Sequence, residues 1–176
     1  MVPEVGGEEA RRVRRTQEAL ITLGRRIKDS GAQTMVIISP HGPVFWDAVG
    51  VITVKRLQGN LGRFGAPQVV FTLDTDAALL EALREQLVLA GIPHTTLGEE
   101  AGYRLDHGVT APLYWLQEGG VTLPVVVCGM ALLPLHRLYS FGVAVQRAAG
   151  AAGRKVAVVA SGDLSHRLLP EAPNGY

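Results

Sequence analysis

In the first thirty residues, the apolar positions Ala10, Val13, Leu20, Leu23 and Ile27 fall three, seven, three and four residues apart, with charged and polar residues between them. A helix of 3.6 residues per turn gathers such positions into one stripe, so the spacing predicts an amphipathic helix from Glu8 to Lys28 laid against a core. Thr34 to Ser39 (TMVIIS) is a β-branched run without polar alternation, and the breaker cluster Pro40-His41-Gly42-Pro43 follows at once. That pattern predicts a central strand, buried on both faces, that runs out into a loop. Val51 to Lys55 and Val69 to Leu73 read as two more strands, with the glycines at 59, 62 and 65 making a flexible loop between them. Asp74-Thr75-Asp76 offers side chains that cap a helix start, and Gly91 can close that helix.

The second half predicts a helix after His107, a strand from Pro124 to Cys128, a helix opened by Pro134 and a strand from Lys155 to Ala160. Ala148 to Gly153 (AAGAAG) reads as a helix end and turn. Strands that alternate with helices imply an α/β fold: a layered, mixed or mostly parallel sheet with helices on both faces.

At 176 residues and 47% hydrophobic, the chain can bury roughly 70% of the surface its unfolded form exposes. With no internal repeat, residues 1–176 are expected to make a single α/β domain. Seventeen basic and sixteen acidic side chains leave a net charge of +1, which gives no field to attract nucleic acid or an anionic membrane. The one charge cluster, Arg11, Arg12, Arg14 and Arg15 beside Glu8, Glu9 and Glu18, fits ion pairs on a solvated helix face. A single cysteine, no secretory leader and no apolar run of bilayer length point to a reducing, cytoplasmic setting. A partner must therefore be sought in a pocket.

Three of the five histidines lie in Gly- and Pro-marked segments: Ser39-Pro40-His41-Gly42-Pro43, Leu105-Asp106-His107-Gly108 and Ser161-Gly162-Asp163-Leu164-Ser165-His166. Loops leaving the carboxyl ends of strands line the ligand crevice of an open α/β sheet, and His41 and His166 each follow a buried strand. His107 precedes a helix, whose free N–H groups and positive dipole end favour an anionic oxygen. Imidazole can act as a neutral metal ligand or shuttle a proton near neutral pH. Any one loop histidine is more simply bonded to backbone, but three in such contexts favour a shared site. His94 and His136 have no supporting cluster, and Cys128 reads as a buried small hydrophobe. Ser161, Asp163 and His166 hold the residue types of a hydrolase triad without a Gly-x-Ser-x-Gly elbow. Asp163 fits better as a turn cap or as the partner of the His166 ring, and Asp47 could support His41 similarly.

The three segments, in this order, resemble the signatures of the class III extradiol ring-cleavage dioxygenase B-subunit family, nearest to its branch associated with AmmeMemoRadiSam systems. The resemblance covers almost the whole chain. It implies an iron-ligand role for His41 and an acid/base role for His166, while His107 would contact or orient the bound substrate. It also implies Fe(II) as cofactor, and a small catechol-type aromatic diol and O2 as substrates. Family members open with a strand that bears an early His-Pro-Pro ligand motif, whereas this chain opens Met1-Val2-Pro3-Glu4. They also continue well past the segment that matches Ser161 to His166, to a late carboxylate ligand, whereas this sequence ends at Tyr176. On that comparison His41 is the one family ligand expected here. The chain by itself is then expected to bind iron weakly, to be inactive, and to self-associate or depend on a neighbouring domain. The rival expectations are a Memo-like metal-binding or redox accessory protein without ring cleavage, and an assembly module.

Overall fold

Thr34–Ser39 forms strand β1 in the computed structural model, which describes residues 2–163 and residue 171. It lies inside a five-stranded sheet with β2 (Val49–Ile52), β5 (His94–Leu97), β6 (Val125–Gly129) and β7 (Val156–Ala160), in the order β5-β2-β6-β1-β7. β6 and β7 flank β1 in parallel, with Ile37 opposite both Val127 and Val159. β2 meets β6 antiparallel at Val51 and Cys128, and β5 pairs with β2 in parallel. The sheet is thus mixed and mostly parallel, as the alternation of elements implies.

Side chains alternate across this sheet, so each strand feeds two cores. Met35, Ile37, Val125 and Val127 face one side, where they meet Ile27 of helix α2 (Arg14–Asp29) and Val109, Leu113 and Leu116 of helix α4 (His107–Glu118). Val36, Val51, Val126 and Cys128 face the other side, against Leu79, Leu83 and Leu87 of α3 (Ala77–Leu89) and Phe141, Ala144 and Ala148 of α5 (Leu135–Ala151). Helices therefore cover both faces. Asp76 caps α3 by accepting from Leu79 N–H at 3.1 Å, and Gly91 closes it with φ +59°. No helix of the described residues is long and apolar enough to cross a membrane.

The first predicted helix is subdivided. A single turn, α1 (Pro3–Gly6), precedes 3₁₀ turns over Gly7–Val13, and regular α-helix starts at Arg14. Gly7 has φ +50°, which breaks the first turn, and three-residue winding then aligns Ala10 with Val13. The arginines pair as their spacing suggests, Arg12 with Glu9 at 2.7 Å and Arg14 with Glu18 at 2.8 Å, on the solvated surface.

A larger correction concerns residues 56–65, which are not a flexible loop. Arg56–Leu61 is strand β3, paired antiparallel with β4 (Ala66–Asp74) in a separate two-stranded sheet. Leu57, Gly59 and Leu61 alternate inward, and Gly59 occupies an inward position where a Cβ would stand 2.7 Å from Leu105 Cβ. Glycine is there for close approach, not for freedom. Strand β5 was also absent from the sequence reading, because His94-Thr95-Thr96-Leu97 is short and half polar.

Helices α2 and α4 touch through glycines. A Cβ on Gly24 would lie 2.6 Å from Leu116 O, and one on Gly119 would lie 2.5 Å from Ile21 O. Gly24→Ala is expected to force the helices apart and cost about 1–3 kcal/mol, which lowers the melting temperature by about 2–4 °C per kcal/mol. Thermal unfolding followed by circular dichroism checks this. A melting temperature equal to the parent's would mean that the helices do not approach so closely.

Candidate functional site at the strand carboxyl ends

β1 ends at Ser39, and the chain turns through Pro40, His41 and Gly42 over the carboxyl ends of its two neighbours. Met130 N–H donates to Ser39 O at 2.9 Å from the β6 side, and Ser161 N–H donates to Ile38 O at 3.0 Å from the β7 side. A Cβ on Gly129, the last residue of β6, would collide with Pro43 O. Hydrophobic strands thus deliver three loops to one place.

Helix α4 adds its first residue, His107, from the side. The His41 and His107 rings stack with centroids 3.9 Å apart and planes 21° apart. Beyond β7, Asp163 reaches back so that its Oδ2 lies 2.5 Å from His41 Nε2. Phe64, at the tip of the β3–β4 hairpin, presents its ring edge-on to His107 at 5.3 Å. Two of the three predicted histidines therefore meet, although 66 positions separate them. The third, His166, lies outside the described residues.

One carboxylate ties these segments together. Asp106 Oδ1 accepts from Gly108 N–H at 2.8 Å, capping α4, and from Ser39 Oγ–H at 2.5 Å. Its Oδ2 accepts from Tyr103 O–H at 3.1 Å. Ser39 Oγ in turn accepts from His41 N–H at 3.2 Å. Gly108 is required where this network is tightest, since a Cβ there would collide with Ser39 Oγ and lie 2.9 Å from Asp106 Oδ1.

Electrostatics separate the roles open to these groups. The His107 pKa is lowered from its ordinary value, first by burial and then by the neighbouring His41, with Asp106 and Asp163 acting the other way. At neutral pH its ring is therefore uncharged, with one nitrogen to donate and one to accept. The Tyr103 hydroxyl is raised far above its ordinary range, by burial and then by Asp106, and stays a donor. Burial likewise pushes the Cys128 thiol up to about 12, so it packs as an apolar residue.

An imidazole nitrogen and a carboxylate oxygen are the two donor kinds of a two-histidine, one-carboxylate iron centre. His41 supplies an imidazole, and Asp163 is a carboxylate whose Oδ2 contacts His41 Nε2. Among the described residues, no three His, Cys, Asp or Glu side chains are placed to hold a metal ion. His107 does not complete the set as it stands. The lone pairs of an imidazole lie in its ring plane, and two stacked, nearly parallel rings cannot point at one ion. These side chains fit such an ion in kind, but the described residues do not make a complete donor set.

Sequence reasoning treated Ser39 and Asp106 only as flanks of their histidines and missed Tyr103 and Phe64. The helix-start signal of an Asp before His-Gly could have revealed the cap, but not its bonds to Ser39 and Tyr103. The carboxylate that meets His41 is Asp163, whereas Asp47 is exposed. His94 Nδ1 bonds to Ile92 O at 3.0 Å, and His136 is exposed on α5, both apart from this cluster.

The whole chain, residues 1–176, matches the family described as the catalytic LigB subunit of aromatic ring-opening dioxygenase. It is 29% identical over 182 residues to Protein CA_C1420 of Clostridium acetobutylicum, an alignment that covers all of this chain and 39% of that protein. It is 26% identical over 147 residues to the 2,3-dihydroxyphenylpropionate/2,3-dihydroxicinnamic acid 1,2-dioxygenase of Mycolicibacterium paratuberculosis, covering 80% of this chain and 46% of the enzyme. The chain thus spans less than half the length of these two relatives.

Proposed function

The chain belongs to the family of the catalytic LigB subunit of aromatic ring-opening dioxygenases, and from that premise we propose that it carries part of a non-haem Fe(II) extradiol centre that opens a catechol-type diol with O2. The supporting observation is the meeting of His41, His107 and Asp163 at the carboxyl ends of β1 and β7. In this reading His41 is a metal ligand and His107 contacts the diol. His166 is the acid/base, and the remaining metal ligands come from outside the described residues. When bound, Fe(II) supplies Lewis acidity and open positions that bring diol and O2 together.

The residues of the chain do the rest. A neutral His107 can hydrogen-bond a diol oxygen through either ring nitrogen without adding a cation beside the metal. Its place at the start of α4 puts that oxygen at the positive end of the helix dipole, which stabilises developing negative charge. Phe64, whose ring meets that of His107, adds an apolar surface beside the place this reading gives the diol. His166 removes a phenolic proton and later returns one.

Joined to the segments that supply the remaining ligands, loaded anaerobically with Fe(II) and mixed with a panel of catechols in air, the protein is expected to consume one O2 per diol and yield ring-opened product, while residues 1–176 alone are expected to be inactive. Oxygen-electrode traces and absorbance spectra check this. Iron binding without oxygen uptake on any diol would replace this reading with a Memo-like metal-binding or redox accessory protein.

A further inference from the structure

We propose that Asp106 is the positioning residue of this site: its carboxylate, through Ser39, locks the loop that carries His41 to the helix end that carries His107, and so keeps the two rings stacked. The inference rests on the ring-cleavage reading only for its kinetic consequence.

The observations are geometric. The two histidines sit on separate elements, the loop after β1 and the first turn of α4, and their own contact is a face-to-face stack. Imidazole stacking in water is weak and sets no fixed distance between two backbones. A continuous hydrogen-bond relay does: His41 N–H to Ser39 Oγ, Ser39 O–H to Asp106 Oδ1, and Gly108 N–H to the same Oδ1. Tyr103 O–H holds the second oxygen and fixes the orientation of the carboxylate. A helix cap needs only one acceptor oxygen. Asp106 uses one oxygen for the cap and for Ser39, and the other for Tyr103, so it does more than start a helix. Gly108 and Gly42 leave room for this, since a Cβ on Gly42 would lie 3.2 Å from Asp106 Oδ2.

Asp106→Ser keeps a capping hydroxyl for Gly108 N–H, but the shorter side chain cannot also reach Ser39 and Tyr103. Asp106→Asn keeps both reach and acceptor. With histidines isotopically labelled, at about pH 8 where ordinary imidazoles are neutral, the parent and Asp106→Asn are expected to show a nuclear Overhauser cross-peak between the His41 and His107 rings. Asp106→Ser is expected to lose it while the remaining backbone spectrum is kept. Ser39→Ala, which leaves the cap untouched, is expected to lose it too and serves should Asp106→Ser fail to fold. In turnover at saturating Fe(II), Asp106→Ser is expected to keep the KM for the diol and to lower kcat about 100-fold, the scale of a misplacement near 1 Å, and its iron affinity is expected to fall about 10–100-fold because His41 is no longer held in place. Adding His107→Ala to it should cost little more, because the two changes remove one function. A cross-peak that persists in both Asp106→Ser and Ser39→Ala overturns the proposal, since capping would then suffice. If the cross-peak behaves as expected in a protein that never consumes O2, the positioning role stands and the ring-cleavage reading falls.

Discussion

In the protein joined to the segments that supply the remaining ligands, replacing His41 by alanine is expected to lower the affinity for Fe(II) by more than about 100-fold and to abolish ring cleavage. Loss of a group that merely orients a ligand costs about 10–100-fold, and loss of a ligand should exceed that. The side chain is well placed for such a test. It stands at the rim, touching Asp163 and the face of His107, so its removal opens no cavity in either core. Surface changes of this kind stay within about 0.5 kcal/mol, and the melting curve should match the parent's. Metal analysis after gel filtration reads the iron content. Parent-level iron in His41→Ala would show that the ligand lies elsewhere, whatever the activity.

His166→Ala is expected to divide the functions the other way, retaining iron while kcat falls by about 10²–10⁴, the usual contribution of a general acid/base. His166 lies outside the described residues, but its segment begins inside them. Asp163, three residues earlier, contacts His41 Nε2, so the described part of that segment lies against the site. Metal analysis beside oxygen-uptake rates decides the matter. Equal iron loss in both variants would refute the division of labour, and rate recovery with added imidazole would strengthen it.

How far the sequence foretold this depended on how local each signal was. TMVIIS was legible as a buried strand, to the residue, because both its faces are apolar and a Pro-Gly cluster ends it. Asp76 and Gly91 were legible because a cap and a left-handed residue act within their own helix. Strand β3 was not, since Gly59 is glycine for the sake of Leu105, 46 positions later, and in the sequence that need looks like looseness. The site divides likewise: His41 and His107 were picked out by their segments, whereas the Ser39–Asp106 bond joins residues 67 apart and no local spacing announces it.

The flank of the sheet that positions Asp163 has a bearing on solubility. β7 is Val-Ala-Val-Val-Ala, with no proline or charge inside it, and Val158 is 58% exposed. Among the described residues, no strand pairs along its outer side. Bare apolar edges of this kind are where neighbouring molecules add strands, and natural sheets blunt them with lysine, proline or a covering element. Judged on the described residues, a concentrated preparation is therefore expected to add strands along β7, beside the loop that leads to Asp163. Aggregation that starts on β7 would distort that loop first, so activity would fade before the bulk of the secondary structure does.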